Sequence, residues 1–241
     1  MELNICHMYP DLLNVYGDIG NILILKYRAE NRGIKTNVFN ISINDRFDPK
    51  KYDIVFFGGG QDYEQSIVSS DLKKTKGKDI IDYIENNKVF LSICGGYQLL
   101  GKYYVTPYGE KIEGLNALDI YTTPGEKRFI GNTVIYNKDF NETYVGFENH
   151  SGKTYIGSLK PLGKVLAGYG NNGEDGYEGC IYKNTFCTYF HGSLLSKNPE
   201  LADRLLSIAL EHKYGKFVLP PLDDTYELKA KEFIIKREIA Q

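Results

Sequence analysis

The chain has 241 residues, of which 42% are hydrophobic and 25% charged, and its formal net charge is −2. These values are typical of a globular protein, and the chain is long enough to bury most of its apolar surface without stabilising disulfides. The near-neutral balance argues against nucleic acid or an anionic membrane as a partner. No apolar run reaches the roughly 20 residues that span a bilayer, so we expect no membrane insertion.

The four cysteines, Cys6, Cys94, Cys180 and Cys187, form no C-x-x-C pair. Neither a zinc site nor a dithiol redox motif is therefore predicted, and no metal is expected. The N-terminal segment lacks the basic and apolar regions of a secretory signal. Sparse cysteines without a signal indicate a cytoplasmic protein.

Strand and helix patterns alternate along the first hundred residues. The predicted strands are LNICHMY, KTNVFNIS, DIVFFGGG and KVFLSIC. The predicted helices are GNILILKYRAENRG, QSIVSSDLKKTKGKDIIDYIENN and GGYQLLGKYY. This alternation predicts an α/β fold with a mostly parallel central sheet flanked by helices.

The second half carries short strand patterns separated by turn signals, which predict an antiparallel β extension. They are FIGNTVIY, TYVGFEN, KTYIGS, KVLAGYG, EGCIYKN and TFCTYFHG, followed by a helix near PELADRLLSIALEHKYG. After Pro220-Pro221, residues 221–241 form a predicted helical tail, with Leu228, Phe233 and Ile234 or Ile235 on one face. We expect this tail either to dock on its own domain or to contact a partner chain. No linker divides the sequence, so residues 1–241 are predicted to form one domain.

A cysteine lies where a predicted strand turns directly into a predicted helix. The frame Ser92-Ile93-Cys94-Gly95-Gly96 is similar to the G-x-S-x-G elbow of hydrolases, with Ser92 in place of the first glycine. At such an elbow the sulfur projects above the carboxyl ends of the strands, and the helix start favours the thiolate. The backbone N–H of Gly95 would face an oxyanion formed by attack of Cys94. The alternative is a buried cysteine that acts as a small hydrophobe.

Two further elements complete the predicted site. Gly58, Gly59 and Gly60 end a strand, so the N–H of Gly60 is a candidate second oxyanion donor, although three glycines also suit a plain turn. A cysteine nucleophile needs a nearby imidazole. His191 ends an apolar strand on the same rim as the elbow and is the preferred base, with His150 as the alternative.

Four stretches together resemble a known family: FFGGGQDYEQ, LSICGGYQLLG, GFENHSG and TYFHGSLL. The chain resembles the class I (triad) glutamine amidotransferases of the cobyric acid synthase branch, which have a flavodoxin-like fold. LNVYGDIGN and EGLNALDIYT narrow the resemblance to glutaminase subunits that work with a MurT-type, Mur-ligase-like subunit on lipid II. The resemblance covers essentially the whole chain.

The resemblance implies that Cys94 attacks the side-chain amide of L-glutamine, that His191 transfers the proton, and that Gly60 and Gly95 hold the oxyanion. The ammonia would pass to the partner, which would amidate the D-glutamate α-carboxyl of the lipid II stem peptide. ATP and Mg²⁺ are expected on that partner, and no cofactor is expected in this chain.

Further residues are expected around the substrate. Arg128 matches the family's glutamine-binding arginine, and a guanidinium can clamp an α-carboxylate, although a solvated surface arginine is the alternative. Gln98 lies one turn after the cysteine and faces the pocket or simply packs there. Glu148, Asn149 and His150 are expected to shape the site.

One position departs from the family pattern. Many triad amidotransferases carry a glutamate two residues after the histidine, whereas this chain has Ser193. The site is therefore a Cys-His dyad, or the acid comes from Glu148 or from the partner chain. Our hypothesis from the sequence is the partner chain.

Three rival functions remain open. The first is an amidotransferase subunit of another synthetase of the cobyric acid synthase type; no G-x-x-x-x-G-K-[ST] motif occurs in this chain, so the ATP chemistry would again be elsewhere. The second is a cysteine-elbow peptidase or deglycase that ignores glutamine. The third is a non-enzymatic scaffold for the partner.

Overall fold

The computed structural model describes residues 1–239 and contains two β-sheets. The first has six strands in the order β11-β12-β4-β3-β1-β2, in which all neighbours are parallel except β11 and β12. Its strands are β1 (Glu2–Met8), β2 (Lys35–Ile41), β3 (Ile54–Phe57), β4 (Val89–Ile93), β11 (Cys180–Tyr182) and β12 (Thr185–Thr188). The central strands β3 and β4 are buried at every residue, as expected for a parallel sheet covered on both faces.

The second sheet is built around a long antiparallel hairpin of β7 (Tyr121–Asn137) and β8 (Glu142–Tyr155), with a bulge between Pro124 and Phe129. The remaining strands of this sheet are short. They are β5 (Tyr103–Val105), β6 (Lys111–Glu113), β9 (Gly163–Ala167), β10 (Tyr177–Glu178) and β13 (Phe190–His191). The predicted α/β fold with an antiparallel extension is confirmed.

Six α-helices accompany the sheets within the described residues. They are α1 (Gly20–Glu30), α2 (Asp62–Asp71), α3 (Gly77–Glu85), α4 (Gly95–Leu100), α5 (Pro199–Tyr214) and α6 (Thr225–Ile239). A π-helical turn over Leu72–Lys76 joins α2 and α3, which the sequence pattern predicted as one helix. Helix α5 begins at a proline, whose fixed φ suits a first helical position. Within residues 1–239, none of the helices combines the length and apolar character needed to cross a bilayer.

Several other element boundaries differ from the prediction. Helix α4 ends at Leu100, because Gly101 is extended and the next residues pair with β6 as a strand. The patterns TYVGFEN and KTYIGS, predicted as two strands, form the single strand β8. The predicted strand TFCTYFHG breaks at Tyr189, so that β12 joins the first sheet and β13 the second.

The tail helix α6 packs against the second sheet through β7, β8 and β9. Its buried residue is Lys231, which forms an ion pair with Glu200 of α5. On the predicted apolar face, Leu228 and Phe233 are 44% and 65% exposed, whereas Ile234 and Ile235 are half-buried. The apolar face is therefore only partly covered by the domain, and contact with a partner chain stays a prediction. Residues 240 and 241 of the predicted tail lie outside the described residues.

A cluster of charges ties α1 to α5 and to the segment before α6. The Arg28 side chain, which is almost fully buried, donates hydrogen bonds to Asp203 and Asp224. Arg32 donates two more to the Asp203 carboxylate, at 2.6 and 2.9 Å. Burial raises the pKa of Asp203, but the two guanidinium groups outweigh it and hold the pKa below its usual range.

We expect Asp203→Asn to lower the free energy of unfolding by roughly 2 kcal/mol at neutral pH, because two guanidinium groups lose their charged acceptor. A carboxylate with a lowered pKa stabilises the fold above its unfolded pKa, about 3.9, and that stabilisation is lost as pH falls. Urea unfolding should therefore show a difference between the two proteins that shrinks below about pH 4. Asp82→Asn, which removes an exposed carboxylate paired with Lys78, is the control and should change stability by less than about 0.5 kcal/mol. An equally small effect of Asp203→Asn would contradict the role of the cluster.

Candidate active site

Cys94 lies at the junction of β4 and α4, and its backbone is strained. Its φ is 47° and its ψ is −104°, a combination that side-chain-bearing residues rarely adopt. The Cys94 N–H donates a hydrogen bond to the carbonyl of Thr188, which anchors the turn to strand β12. Close packing explains the second glycine after the cysteine, because a Cβ at Gly96 would lie 2.7 Å from the carbonyl oxygen of Phe57. Cys94 therefore sits at a sharp elbow, and the residue is 8% exposed.

Two backbone N–H groups lie beside this elbow. A Cβ at Gly95 would be 3.0 Å from the nitrogen of Gly60, so the two backbones are in direct contact. Within residues 1–239, neither the N–H of Gly60 nor that of Gly95 donates a hydrogen bond. Val15 donates its N–H to the carbonyl of Gly59 at 3.2 Å, which holds the peptide that carries the Gly60 N–H. The predicted pair of donors is thus close together and available for an oxyanion.

His191 ends β13 and is fully buried next to the same glycine-rich turn. A Cβ at Gly59 would be 2.6 Å from Cε1 of the imidazole, so only glycine leaves room for the ring. The edge of Tyr16 packs against the ring with centroids 4.9 Å apart. Nδ1 lies 3.1 and 3.2 Å from the two carboxylate oxygens of Asp18. Nε2 has no hydrogen-bond partner of good geometry within the described residues and is the nitrogen left for Cys94.

Asp18 completes the site, and sequence reasoning missed it. Its carboxylate is fully buried, and Oδ2 also accepts a hydrogen bond of 2.9 Å from the N–H of Gly59. One carboxylate thus orients the imidazole and fixes the strand end that leads to Gly60. The motif LNVYGDIGN contained the signal, since an aspartate after β1 lies at the carboxyl edge of the parallel sheet.

The charges around His191 favour its protonated form. Burial disfavours the charged imidazole, but the Cys94 thiolate and the Asp18 carboxylate outweigh it and raise the pKa of His191 to about 10. His191 is therefore protonated at neutral pH when the thiolate is present. The pair combines a nucleophile with a proton donor for a leaving group.

The acid is supplied within this chain, which overturns the hypothesis that it comes from a partner. Ser193, two residues after the histidine, has a left-handed backbone and packs where a Cβ at Gly20 would be 2.7 Å away. The start of α1 therefore packs against Ser193. Asp18 contacts the imidazole from the loop that precedes α1. Glu148 is not the acid either, because its carboxylate accepts the N–H groups of Tyr169 and Gly170.

A cavity of about 860 Å³ opens above the cysteine. Arg128 lies on its wall and donates from Nε to Asn149 at 2.6 Å and from Nη2 to the hydroxyl of Tyr16 at 3.4 Å. Within residues 1–239 its guanidinium forms no ion pair. A guanidinium that faces a cavity without a carboxylate partner is suited to an anionic group of a substrate.

The other predicted site residues line or support this cavity. Gln98 and His150 both line it. Gln98 donates to the hydroxyl of Tyr189, and His150 stacks on the ring of Tyr189 at 3.6 Å. Nδ1 of His150 donates a hydrogen bond to the carbonyl of Gly152, and Nε2 lies 3.7 Å from Oε2 of Glu148. His150 therefore belongs to the wall, whereas His191 lies at the elbow beside Cys94.

The fold is that of the class I glutamine amidotransferases. Residues 4–199 match the CobB/CobQ-like glutamine amidotransferase domain, and the chain belongs to this family. A solved structure titled as a glutamine amidotransferase shares the fold, with a TM-score of 0.56 over 85% of this chain and 98% of that one at 13% identity.

Two curated relatives are similar over nearly their whole length. The chain is 51% identical to the lipid II isoglutaminyl synthase (glutamine-hydrolyzing) subunit GatD of Streptococcus pneumoniae, over 100% of this chain and 90% of the relative. It is 46% identical to the GatD subunit of Staphylococcus aureus, over 98% of this chain and 96% of the relative.

We expect Asp18→Asn to lower the pKa of His191 from about 10, because the imidazolium loses the negative charge beside Nδ1. The shift can be followed by NMR titration of ¹⁵N-labelled imidazoles, since the chain has only four histidines. The ring should become neutral at a lower pH than in the unmodified protein. Asp119→Asn removes a charge of the same sign from an exposed pair with Lys102 and serves as the control. An unchanged titration of His191 in Asp18→Asn would refute the assignment of Asp18.

Proposed function

We propose that this chain hydrolyses L-glutamine at Cys94 and delivers the ammonia to a synthetase subunit that amidates lipid II. The observation that carries the proposal is the contact between the Asp18 carboxylate and Nδ1 of His191, which leaves Nε2 free beside the elbow cysteine. A thiolate paired with an imidazolium, below a cavity with an unpaired guanidinium, suits attack on the carboxamide of a free amino acid.

In the first half-reaction, the thiolate of Cys94 attacks the side-chain carbonyl carbon of glutamine. The developing oxyanion accepts hydrogen bonds from the N–H groups of Gly60 and Gly95. When the tetrahedral intermediate collapses, the C–N bond breaks and Nε2 of His191 gives its proton to the departing nitrogen. Ammonia leaves, and a glutamyl thioester with a neutral imidazole remains.

In the second half-reaction, the neutral His191 takes a proton from water as the water oxygen attacks the thioester carbonyl. The C–S bond breaks, glutamate leaves and the thiolate–imidazolium pair is restored. Asp18 keeps the imidazole in one orientation in both steps, because its hydrogen bond to Nδ1 does not depend on the charge of the ring.

The acceptor of the ammonia is inferred from the relatives. Both curated relatives are named as subunits of a lipid II isoglutaminyl synthase. We infer that the partner is a MurT-type, Mur-ligase-like subunit, which uses ATP and Mg²⁺ to activate the D-glutamate α-carboxyl of lipid II and forms D-isoglutamine. The chain would then act in peptidoglycan biosynthesis in the cytoplasm as one half of a heterodimer.

A second candidate is the amidotransferase subunit of another synthetase of the cobyric acid synthase type. The family match favours it, because the matching domain is described as CobB/CobQ-like. The two candidates share the glutaminase chemistry and differ in the acceptor. Amidation assays of the purified complex with a lipid II analogue and with a corrinoid carboxylate separate them.

We expect Cys94→Ala to abolish glutamine-dependent amidation by the complex while leaving ammonium-dependent amidation intact, because only ammonia production requires the sulfur. The measurement is amidation of a lipid II analogue with glutamine or with added ammonium chloride as the nitrogen source. Cys180→Ala removes another buried free thiol and should keep both activities. Full glutamine-dependent activity of Cys94→Ala would contradict catalysis at this cysteine and would indicate that the chain is a non-enzymatic scaffold for its partner.

We expect Arg128→Gln to raise the KM for glutamine by about 10- to 100-fold with a much smaller change in kcat, because a charged hydrogen bond of about 1.5–3 kcal/mol to the α-carboxylate is lost. The measurement is steady-state release of glutamate from glutamine. Lys127→Gln removes the neighbouring exposed cation, which lies outside the cavity lining, and is the matched control. Equal effects of the two substitutions would show that Arg128 acts only through the general surface charge.

A further inference from the structure

The charges in the wall of the catalytic cavity are few. Among the described residues that line it, Arg128 is the one permanently cationic side chain and Asp62 is the one carboxylate. The rest of the lining is glycine, aromatic, amide, hydroxyl and apolar groups together with Cys94 and His150. A free amino acid at neutral pH carries one carboxylate and one ammonium on the same carbon. The cavity therefore has one charged group of each sign for the two charged groups of such a ligand.

Asp62 is held in place by the fold. It is the first residue of α2 and follows the Gly58–Gly60 turn that carries an oxyanion donor. The hydroxyl of Tyr104 donates to Oδ1 of Asp62 at 3.0 Å. Tyr104 is itself almost fully buried, so this hydrogen bond fixes the carboxylate against a rigid wall.

The second oxygen of this carboxylate is available. Within residues 1–239, Oδ2 of Asp62 accepts no hydrogen bond from a side chain, and the carboxylate forms no ion pair. Ion pairs are otherwise common in this chain, and even exposed carboxylates such as Asp119 and Asp139 have lysine partners. An oriented carboxylate that faces a cavity with one free oxygen is suited to an ammonium group.

We propose that Asp62 binds the α-ammonium group of glutamine and makes the site selective for an L-α-amino acid. The proposal rests on the proposed function and deepens it. Arg128 would hold the α-carboxylate, Asp62 the α-ammonium, and Cys94 the side-chain carbonyl carbon. Three fixed contacts around one carbon distinguish the L from the D enantiomer. They also disfavour carboxamides without an α-amine, whose binding would leave the carboxylate of Asp62 unpaired.

The neighbouring residue Glu64 offers a matched comparison. It lies in the first turn of the same helix and has the same charge, but it lines a different cavity, together with Pro10 and Asp11. Removing either carboxylate changes the net charge and the charge at the start of α2 by the same amount. A difference between the two variants therefore reports on contact with the substrate.

The test compares two carboxamides in the full-length chain, alone or with its co-purified synthetase subunit. L-Glutamine is one, and 4-carbamoylbutanoate, which is glutamine without the α-amine, is the other; ammonia release is measured for both. Asp62→Asn should lower kcat/KM for glutamine by about 10- to 100-fold, as expected for loss of a charge-assisted hydrogen bond. It should leave kcat/KM for 4-carbamoylbutanoate unchanged or raise it, because this substrate has no ammonium group to pair with the carboxylate. The ratio of kcat/KM for glutamine to kcat/KM for 4-carbamoylbutanoate should therefore fall by at least the same factor. Glu64→Gln should keep the wild-type ratio.

A second variant keeps the proposal testable even if Asp62→Asn does not fold. Tyr104→Phe leaves the carboxylate in the cavity but frees it to move, and it should reduce the same ratio by a smaller factor. An unchanged ratio in Asp62→Asn, or an equal loss with both substrates, would overturn the proposal. If the wild-type protein releases no ammonia from glutamine, the proposed function itself fails. Glutamine hydrolysis with an unaltered ratio removes only the role of Asp62.

Discussion

The site depends on the buried carboxylate of Asp18, which makes two contacts at once. It accepts the hydrogen of Nδ1 of His191 and the N–H of Gly59, so the proton donor and the strand end beside the oxyanion donors share one support. Asp18, Gly59 and His191 are distant in sequence, but the segments that carry them converge at the carboxyl edge of the parallel sheet. A shift of this carboxylate would disturb the imidazole and the turn together. The packing leaves little room for such a shift, because even a Cβ at Gly59 would lie 3.2 Å from Oδ2 of Asp18.

The break between β12 and β13 makes this convergence possible. Strand β12 runs parallel to β4 and holds the N–H of Cys94 through the carbonyl of Thr188. After Tyr189 the chain changes sheets, and β13 pairs with β8. This change of sheet places His191 beside the elbow at Cys94. The second sheet also contributes Arg128 and part of the cavity wall there. The antiparallel extension is therefore part of the site as well as of the fold.

Sequence patterns were sufficient for the alternation of strands and helices in the first half and for the residues that end strands. Cys94 and His191 stand out because each follows a buried strand at the same edge, and the structure brings them together. Asp18 was missed because it lies 173 residues from His191 and precedes a helix with no unusual pattern. The ion pair by which α6 contacts α5 was not predicted, since periodicity cannot tell that the buried Lys231 finds a partner in Glu200. Long-range pairing of polar groups is a tertiary property, whereas strand ends and turns are local.

The central claim is that a thiolate at position 94, activated by His191, forms a covalent bond with the side-chain carbon of glutamine. Treatment with 6-diazo-5-oxo-L-norleucine, a diazoketone that mimics glutamine, followed by mass spectrometry of proteolytic peptides tests it directly. The account predicts a single adduct on Cys94 that free glutamine suppresses. Hydrolysis of glutamine by a protein whose Cys94 stays unmodified, or an adduct on another cysteine, would contradict it.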